Sequence, residues 1–331
     1  MPRFATGSRV RIASKATVLA SVAVSIAMVF SAGANAATVV NGDFETGNLS
    51  GWQTQTTGID VGSGWFAYSG TESPFSHETI QAPPQGSFAA VSDEGSPSAH
   101  FLYQDIALEP FYTHQLSMLV YYQSDAAITV PTPPSLDPEG PDNQQYRIDV
   151  MKPSAPLTSL EPSDILATVF QTKEGDPEVM APTKLTVDLT PFAGQTVRLR
   201  FAEVDNRGFF NASVDAVSIL STPPNNVFSI GKPMLKKKNG TAKIPVFAPG
   251  AGTLTVGPAG SKKPLKVKVA TLAPTTSGNF FPVVKPTGAG KKVLKNKGKL
   301  KIKLSLSFTP TGGLTSTQTK TVVLKLNKPT K

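Results

Sequence analysis

The sequence predicts an all-β protein built of two sandwiches, and three observations carry that prediction. Apolar residues recur in short runs, many with the two-residue period of a strand. Clusters of Pro, Gly, Asn and Asp separate those runs as turns. No segment of the first two-thirds sustains the 3.6-residue period of a helix. Gly and Pro number 27 and 29 in 331 residues, which suits many short strands and falls below the level of low-complexity chains.

The first element in chain order is not part of either sandwich. Arg3, Arg9, Arg11 and Lys15 precede an apolar run over 16–30, and Ala34-Asn35-Ala36 supplies a small-residue cleavage pattern. This is the pattern of a secretory signal peptide over residues 1–36, which directs the mature chain to the extracellular space or the cell envelope. The run is interrupted by Ser21 and Ser25 and is shorter than the roughly 20 apolar residues of a membrane span. No later segment is apolar enough to span either, so the mature chain is expected to have no membrane span. The chain contains no cysteine, so core burial, together with any bound metal, has to replace disulfides.

Residues 37–221 read as strands throughout, with candidate runs at 87–91, 100–108, 114–122, 145–151, 165–170, 184–189, 196–204 and 213–220. The turns between them include Pro83-Pro84-Gln85-Gly86, a long loop from Pro131 to Asp142, and Asp205-Asn206-Arg207-Gly208. Eight to ten antiparallel strands in this length describe a two-sheet sandwich of jelly-roll type.

The stretch with the clearest signature is Asn41-Gly42-Asp43-Phe44-Glu45, leading to Gly51-Trp52. Two acids and three glycines beside Phe44, Leu49 and Trp52 describe an acidic turn pinned to a core by a large aromatic. Carboxylate and carbonyl oxygens of such a turn suit a hard cation such as Ca²⁺, and a plain loop with a buried Trp is the other reading of the same residues.

Together with Pro191-Phe192-Ala193-Gly194-Gln195-Thr196-Val197-Arg198 and the closing Val214-Asp215-Ala216-Val217, this stretch resembles the galactose-binding-like jelly rolls of carbohydrate-binding modules and MAM-like extracellular domains. The resemblance covers the start and end of the first half. It implies that the first and last strands lie together and that a structural Ca²⁺ sits between Glu45 and Asp215, with Asp43 and Asp93 as further ligands. Ala216 stands where many members carry a second Asp. It also implies a carbohydrate or cell-surface glycan as ligand.

Sugar binding needs aromatic faces for the apolar side of a pyranose. Trp65, Phe66 and Tyr68 in a Gly/Ser-rich stretch, and Tyr121 and Tyr122 ahead of the long loop, are the candidates. Trp65 is the first choice, against the alternative of a loop aromatic folded onto the sandwich, whereas Trp52 is assigned to the core.

Enzyme signatures are poor. His77-Glu78-Thr79-Ile80-Gln81 opens like a zinc-protease helix but has Gln81 where the second imidazole must fall. There is no nucleophile elbow, P-loop or dinucleotide fingerprint. Asp137, Glu139 and Asp142 offer paired carboxylates in a Pro-rich loop, which leaves a polysaccharide-active enzyme as the third-ranked reading.

Charge divides the chain. All 23 acids lie between Asp43 and Asp215, where seven basic residues leave a net −16; from Val227 onward there are 21 lysines, no arginine and no acid. The boundary is the Pro-stiffened linker 222–226. Residues 227–331 alternate strictly in Lys299-Leu300-Lys301-Ile302-Lys303-Leu304, with shorter repeats at 264–269 and 321–326. The pattern resembles the lysine-rich immunoglobulin-like sandwiches that end many exported bacterial proteins. Lys297, Lys299, Lys301 and Lys303 stand close enough for their fields to add, which suits an anionic cell-wall polymer. The lack of arginine and of interleaved exposed aromatics disfavours nucleic acid. Solubility, edge protection and docking on the chain's own acidic half are the plainer uses of the same lysines.

The combined expectation is an exported, non-enzymatic binding protein. Its first domain would bind a glycan or related surface ligand, and its basic second domain would serve as a spacer or hold an envelope polymer. The alternative is a structural or adhesive surface protein with no sugar site.

Overall fold

The computed structural model describes residues 37–59, 62–260 and 264–327, so the expected signal peptide lies outside the described residues. Ten strands make up the first half: β1 (Gln53–Gly58), β2 (Gly64–Tyr68), β3 (Ala89–Asp93), β4 (Ser98–Ala107), β5 (Thr113–Ser124), β6 (Gln145–Met151), β7 (Ile165–Gln171), β8 (Val179–Asp188), β9 (Thr196–Asp205) and β10 (Phe210–Thr222). Ten more follow: β11 (Ser229–Ile230), β12 (Met234–Lys236), β13 (Thr241–Lys243), β14 (Val246–Ala248), β15 (Gly252–Pro258), β16 (Ala270–Leu272), β17 (Gly278–Phe280), β18 (Val283–Val284), β19 (Lys299–Pro310) and β20 (Ser316–Lys325). The protein is an all-β sandwich, as expected.

Two five-stranded antiparallel sheets face each other in the first half, in the orders β1-β4-β9-β6-β7 and β2-β3-β10-β5-β8. Alternate residues of β9 explain the arrangement. Val197, Leu199 and Phe201 point into the main core with Leu102, Ile148 and Val214, while Ala202 and Val204 point the other way. On that outer face Ala99, Phe101, Ala202 and Val204 are covered by Leu136 and Leu157 from the loops on either side of β6.

An ion-pair network pins this cover. Asp149 and Arg200 are opposite one another in register, 2.5 Å apart, and Arg147 Nε reaches the same carboxylate at 2.6 Å. The Arg200 guanidinium also donates to the carbonyl oxygens of Leu157 and Ser159. Burial acts to raise the Asp149 pKa, but the hydrogen bonds and charges of Arg147 and Arg200 outweigh it and hold the carboxyl below its ordinary value.

The second half carries three smaller sheets, β11-β14-β17, β12-β13-β18 and β16-β15-β19-β20, around a separate apolar core that includes Leu254, Val256, Leu304, Leu306 and Phe308. Both halves fall within one compact unit. Gly312, in the β19–β20 turn with φ +72°, lies under the Phe111 ring from the β4–β5 connection, and an added Cβ would come within 2.2 Å of it.

Several expectations are corrected. The stretch around Trp65 is β2, a strand rather than a Gly/Ser loop, and β1 has no counterpart among the expected runs. Residues 264–269 form a single bridge at Val267 instead of a strand. A helix, α1 (Gly288–Lys297), occupies part of the basic half. Its ends are conventional: Thr287 caps the N-terminus by accepting from Gly290 N–H, and Gly298 closes it in the left-handed conformation. First and last strands of the acidic half also lie in different sheets, β1 beside β4 and β10 beside β3 and β5.

Candidate functional site

The opening stretch is a series of turns rather than a strand, and it is fastened both to itself and to β10. Residues 41–51 form turns that end at Trp52, whose indole N–H donates to Asn41 O at 3.0 Å. The Trp52 ring stacks on Phe44 at 5.5 Å and meets Phe201 edge-on at 5.7 Å, confirming its place in the core. A β-bulge in β10 between Asp215 and Ser218 receives the turn. There Ala216 takes φ +52°, which frees Val217 N–H to donate to Gly42 O at 2.8 Å. The approach is so close that a Cβ on Gly42 would come within 2.0 Å of Val217 O.

Three acids surround this bulge. Glu45 Oε1 accepts from the backbone N–H groups of Ser87 and Phe88 at 2.8 and 3.0 Å. Asp215 accepts from Gln85 N–H at 3.1 Å and from Ala216 N–H at 2.6 Å. Asp43 Oδ1 lies 3.4 Å from Glu45 N. Burial, with smaller contributions from the Glu45 and Asp43 charges, pushes the Asp215 pKa up to about 6. A cleft of about 420 Å³ lined by Asn41, Asp43, Gln85 and Ala216 opens beside them. The carboxylates thus sense one another's charge, although they do not present three ligand atoms within 4.8 Å of each other.

Asp93 is not part of that group. It closes β3 opposite Gly64, and its oxygens accept from Phe75 N–H, Ser76 N–H and Ser76 Oγ–H at 2.6, 3.1 and 2.5 Å. A carboxylate engaged this fully organises the 73–76 turn, so the structure takes Asp93 away from the ligand set that the resemblance implied.

The aromatic set is likewise redistributed. Trp65 is 4 % exposed; its indole N–H donates to His100 O, and its ring packs against Tyr146 and Phe201. Tyr68 and Tyr121 are buried with their hydroxyls 2.7 Å apart, and Tyr122 is buried with its hydroxyl on Pro177 O. Burial pushes the Tyr68 pKa up to about 12. These four rings have no face free for a pyranose: Trp65 and Tyr122 turn into the main core, whereas Tyr68 and Tyr121 lie on the opposite face of their sheet, where Ile80 packs against them and Tyr68 donates to Gln81 O. Phe66 is the exception: it is half-buried and stacks on Phe75 at 6.5 Å with the rings 8° from parallel.

Of the expected lysine row, Lys299, Lys301 and Lys303 follow the strand alternation, whereas Lys297 is the last residue of the helix α1 and lies outside the strand. Lys299, Lys301 and Lys303 are exposed along β19 while Leu300, Ile302 and Leu304 between them are buried. Lys325 of β20 stands opposite Lys299 in register. The helix adds Lys291, Lys292, Lys295 and Lys297, all exposed.

No protein-family model and no curated relative matches the chain. Among solved structures it is similar to the K3 cleaved adhesin domain of Lys-gingipain from Porphyromonas gingivalis W83, at 18% identity over 55% of this chain and 96% of that one, with a TM-score of 0.33. It is similar to the adhesin domain of Epf from Streptococcus pyogenes at 9% identity, 89% and 98% coverage and a TM-score of 0.31. The glycoside hydrolase domain of Endo-D from Streptococcus pneumoniae R6 follows at 13% identity, 83% and 37% coverage and a TM-score of 0.24. Likenesses this distant carry no argument about function, which rests on the side chains. Among the described residues no helix is long and apolar enough to cross a membrane.

Proposed function

We propose that this chain is an exported, non-enzymatic binding protein of the cell surface whose basic half attaches to an anionic envelope polymer. The observation that carries the reading is the exposed row Lys299, Lys301 and Lys303 with Lys325 directly opposite Lys299. Like charges facing each other across a sheet repel, and residues two apart on a strand are about 7 Å apart, inside the Debye length of about 8 Å. A polyanion laid on this face relieves that repulsion and releases its own counterions. Binding of the mature protein to purified anionic wall polymer across a salt series tests it. Affinity should fall steeply with salt, and Lys299→Gln, Lys301→Gln and Lys303→Gln together should flatten the slope of log K against log salt by about two to three. Affinity indifferent to salt contradicts the reading.

A glycan site on the acidic half is the second reading, and the half-exposed Phe66–Phe75 stack is the observation in its favour. A glycan array of the parent and Phe66→Ala decides it, since a stacking platform loses its signal with the ring. For the opening turn, the proposal is a structural Ca²⁺ held by Glu45, Asp215 and Asp43 with backbone carbonyls. The three acids around one bulge support it, and an ion there would draw their oxygens closer together than they stand. Ca²⁺ at 100 times its Kd should add about 2.7 kcal/mol of stability, lost in Asp215→Asn.

A further inference from the structure

One end of the first sandwich gathers four titratable side chains that the opening turn does not use. Strand register does the gathering. His100 of β4 pairs with Glu203 of β9, Ser98 pairs with Asp205, and the two-residue period puts all four on one face. It is the inner face, because Leu102 and Phe201, next in the same series, belong to the main core. Glu94, one residue past β3, arrives from the facing sheet, where the Phe210 N–H at the start of β10 donates to its Oε1. Glu94, His100, Glu203 and Asp205 are all buried, and each offers a ligand atom within 4.8 Å of the others.

Glu203 is the residue that points to a ligand. It is 0 % exposed, and neither carboxylate oxygen has a hydrogen-bond partner. Burial, and then the charges of Glu94 and Asp205, push its pKa well above that of an ordinary glutamate. An unsatisfied carboxylate inside a sandwich is among the costliest groups a fold can carry. A divalent cation supplies the missing partner and neutralises the neighbouring acids together. The ring nitrogens of His100 lie 3.0 Å from Thr56 Oγ1 and 2.7 Å from Ser98 Oγ, so a nitrogen that ligated a metal would leave the other held by a hydroxyl, as metal-binding imidazoles are usually held. A cleft of about 300 Å³ bordered by Glu94, Asp205 and Arg207 leads to the cluster from solvent.

We propose that Glu94, His100, Glu203 and Asp205 form a second metal site, for a divalent transition cation of the Zn²⁺ or Mn²⁺ class. One imidazole among three carboxylates suits such borderline ions, whereas Ca²⁺ takes oxygen ligands alone. The ion would tie the β3–β4 turn to the β9–β10 turn and join the two sheets, a cross-link in a chain that has no disulfide.

The test uses the mature protein stripped with chelator and titrated at pH 7.5 with Zn²⁺ or Mn²⁺, read by calorimetry and thermal unfolding. One equivalent should bind, and at 100 times Kd the Tm should rise by roughly 5 to 10 °C. Glu203→Gln and Glu94→Gln should each lose at least about 100-fold in affinity. Asp215→Asn, which alters the opening turn, should keep the full response. In chelator, Glu203→Gln should melt no lower than the parent because it removes a buried repulsion, which separates loss of binding from loss of folding. Absence of a metal-dependent shift overturns the proposal. So does a shift that both Gln variants retain, or one that Ca²⁺ alone produces and Asp215→Asn abolishes.

Discussion

The two halves solve the same problem, a disulfide-free β-sandwich, in opposite ways. Every buried polar or charged side chain among the described residues lies between Ser73 and Asp215. The core of the basic half is apolar throughout, from Phe228 to Leu324, with its lysines outside. A core of the second kind is specified by alternation and volume alone. One of the first kind needs each interior charge to meet its partner, so its stability depends on pH, and its interior can hold an ion.

The largest expected contrast comes from removing one interior group in each half. Asp149→Ala strands the Arg147 and Arg200 guanidiniums in the interior and should cost about 3–5 kcal/mol in urea unfolding. Leu304→Ala in the other core should cost a comparable 2–5 kcal/mol through cavity formation. Acid separates the two. Because the Asp149 pKa is lowered in the fold, its contribution is present above the unfolded-state value near 3.8 and is lost as pH falls through the lower folded value. Asp149→Ala should therefore flatten the acid limb of the stability curve, while Leu304→Ala should shift the curve down without reshaping it.

A smaller effect is expected at the opening turn. Gly86 has φ +62°, and a Cβ there would come within 2.1 Å of Glu45 Oε1, so Gly86→Ala should cost about 1–3 kcal/mol by strain and by displacing the carboxylate from Ser87 and Phe88. If the turn holds Ca²⁺, the same variant should also reduce the Ca²⁺-dependent shift in Tm. The smallest effect belongs to the lysine face. Lys299→Gln relieves its repulsion with Lys325 and should move Tm by less than about 2 °C, upward if at all, while weakening polyanion binding. A variant that loses stability instead would show that the lysines are structural.

Much of this was legible from local pattern. The run at 145–151 coincides with β6, and the alternation over 299–304 places each lysine and each apolar residue of that stretch on its observed face. Trp52 was legible as a core residue beside the acidic turn. The helix α1 was not read from the sequence, because its Lys-rich surface leaves only Val293 and Leu294 as apolar residues facing the core. Trp65 was misread because Gly62, Ser63 and Gly64 advertise a loop, whereas pairing with β3 makes the stretch a strand and turns the indole inward.

The four-residue cluster left one faint sign in the sequence. Val197, Leu199, Phe201, Glu203 and Asp205 share a face of β9, so two acids occupy what the apolar series marks as core positions. The sequence by itself determined the all-β class, the charge division and the outward lysine row, because period and charge are properties of neighbours along the chain. Only the tertiary structure decided which acids meet. Asp215 faces Glu45 across a bulge, Asp93 is spent on a turn, and Glu94, His100, Glu203 and Asp205 converge from two sheets, since such distances are set by strand register and sheet packing between residues as much as 170 positions apart.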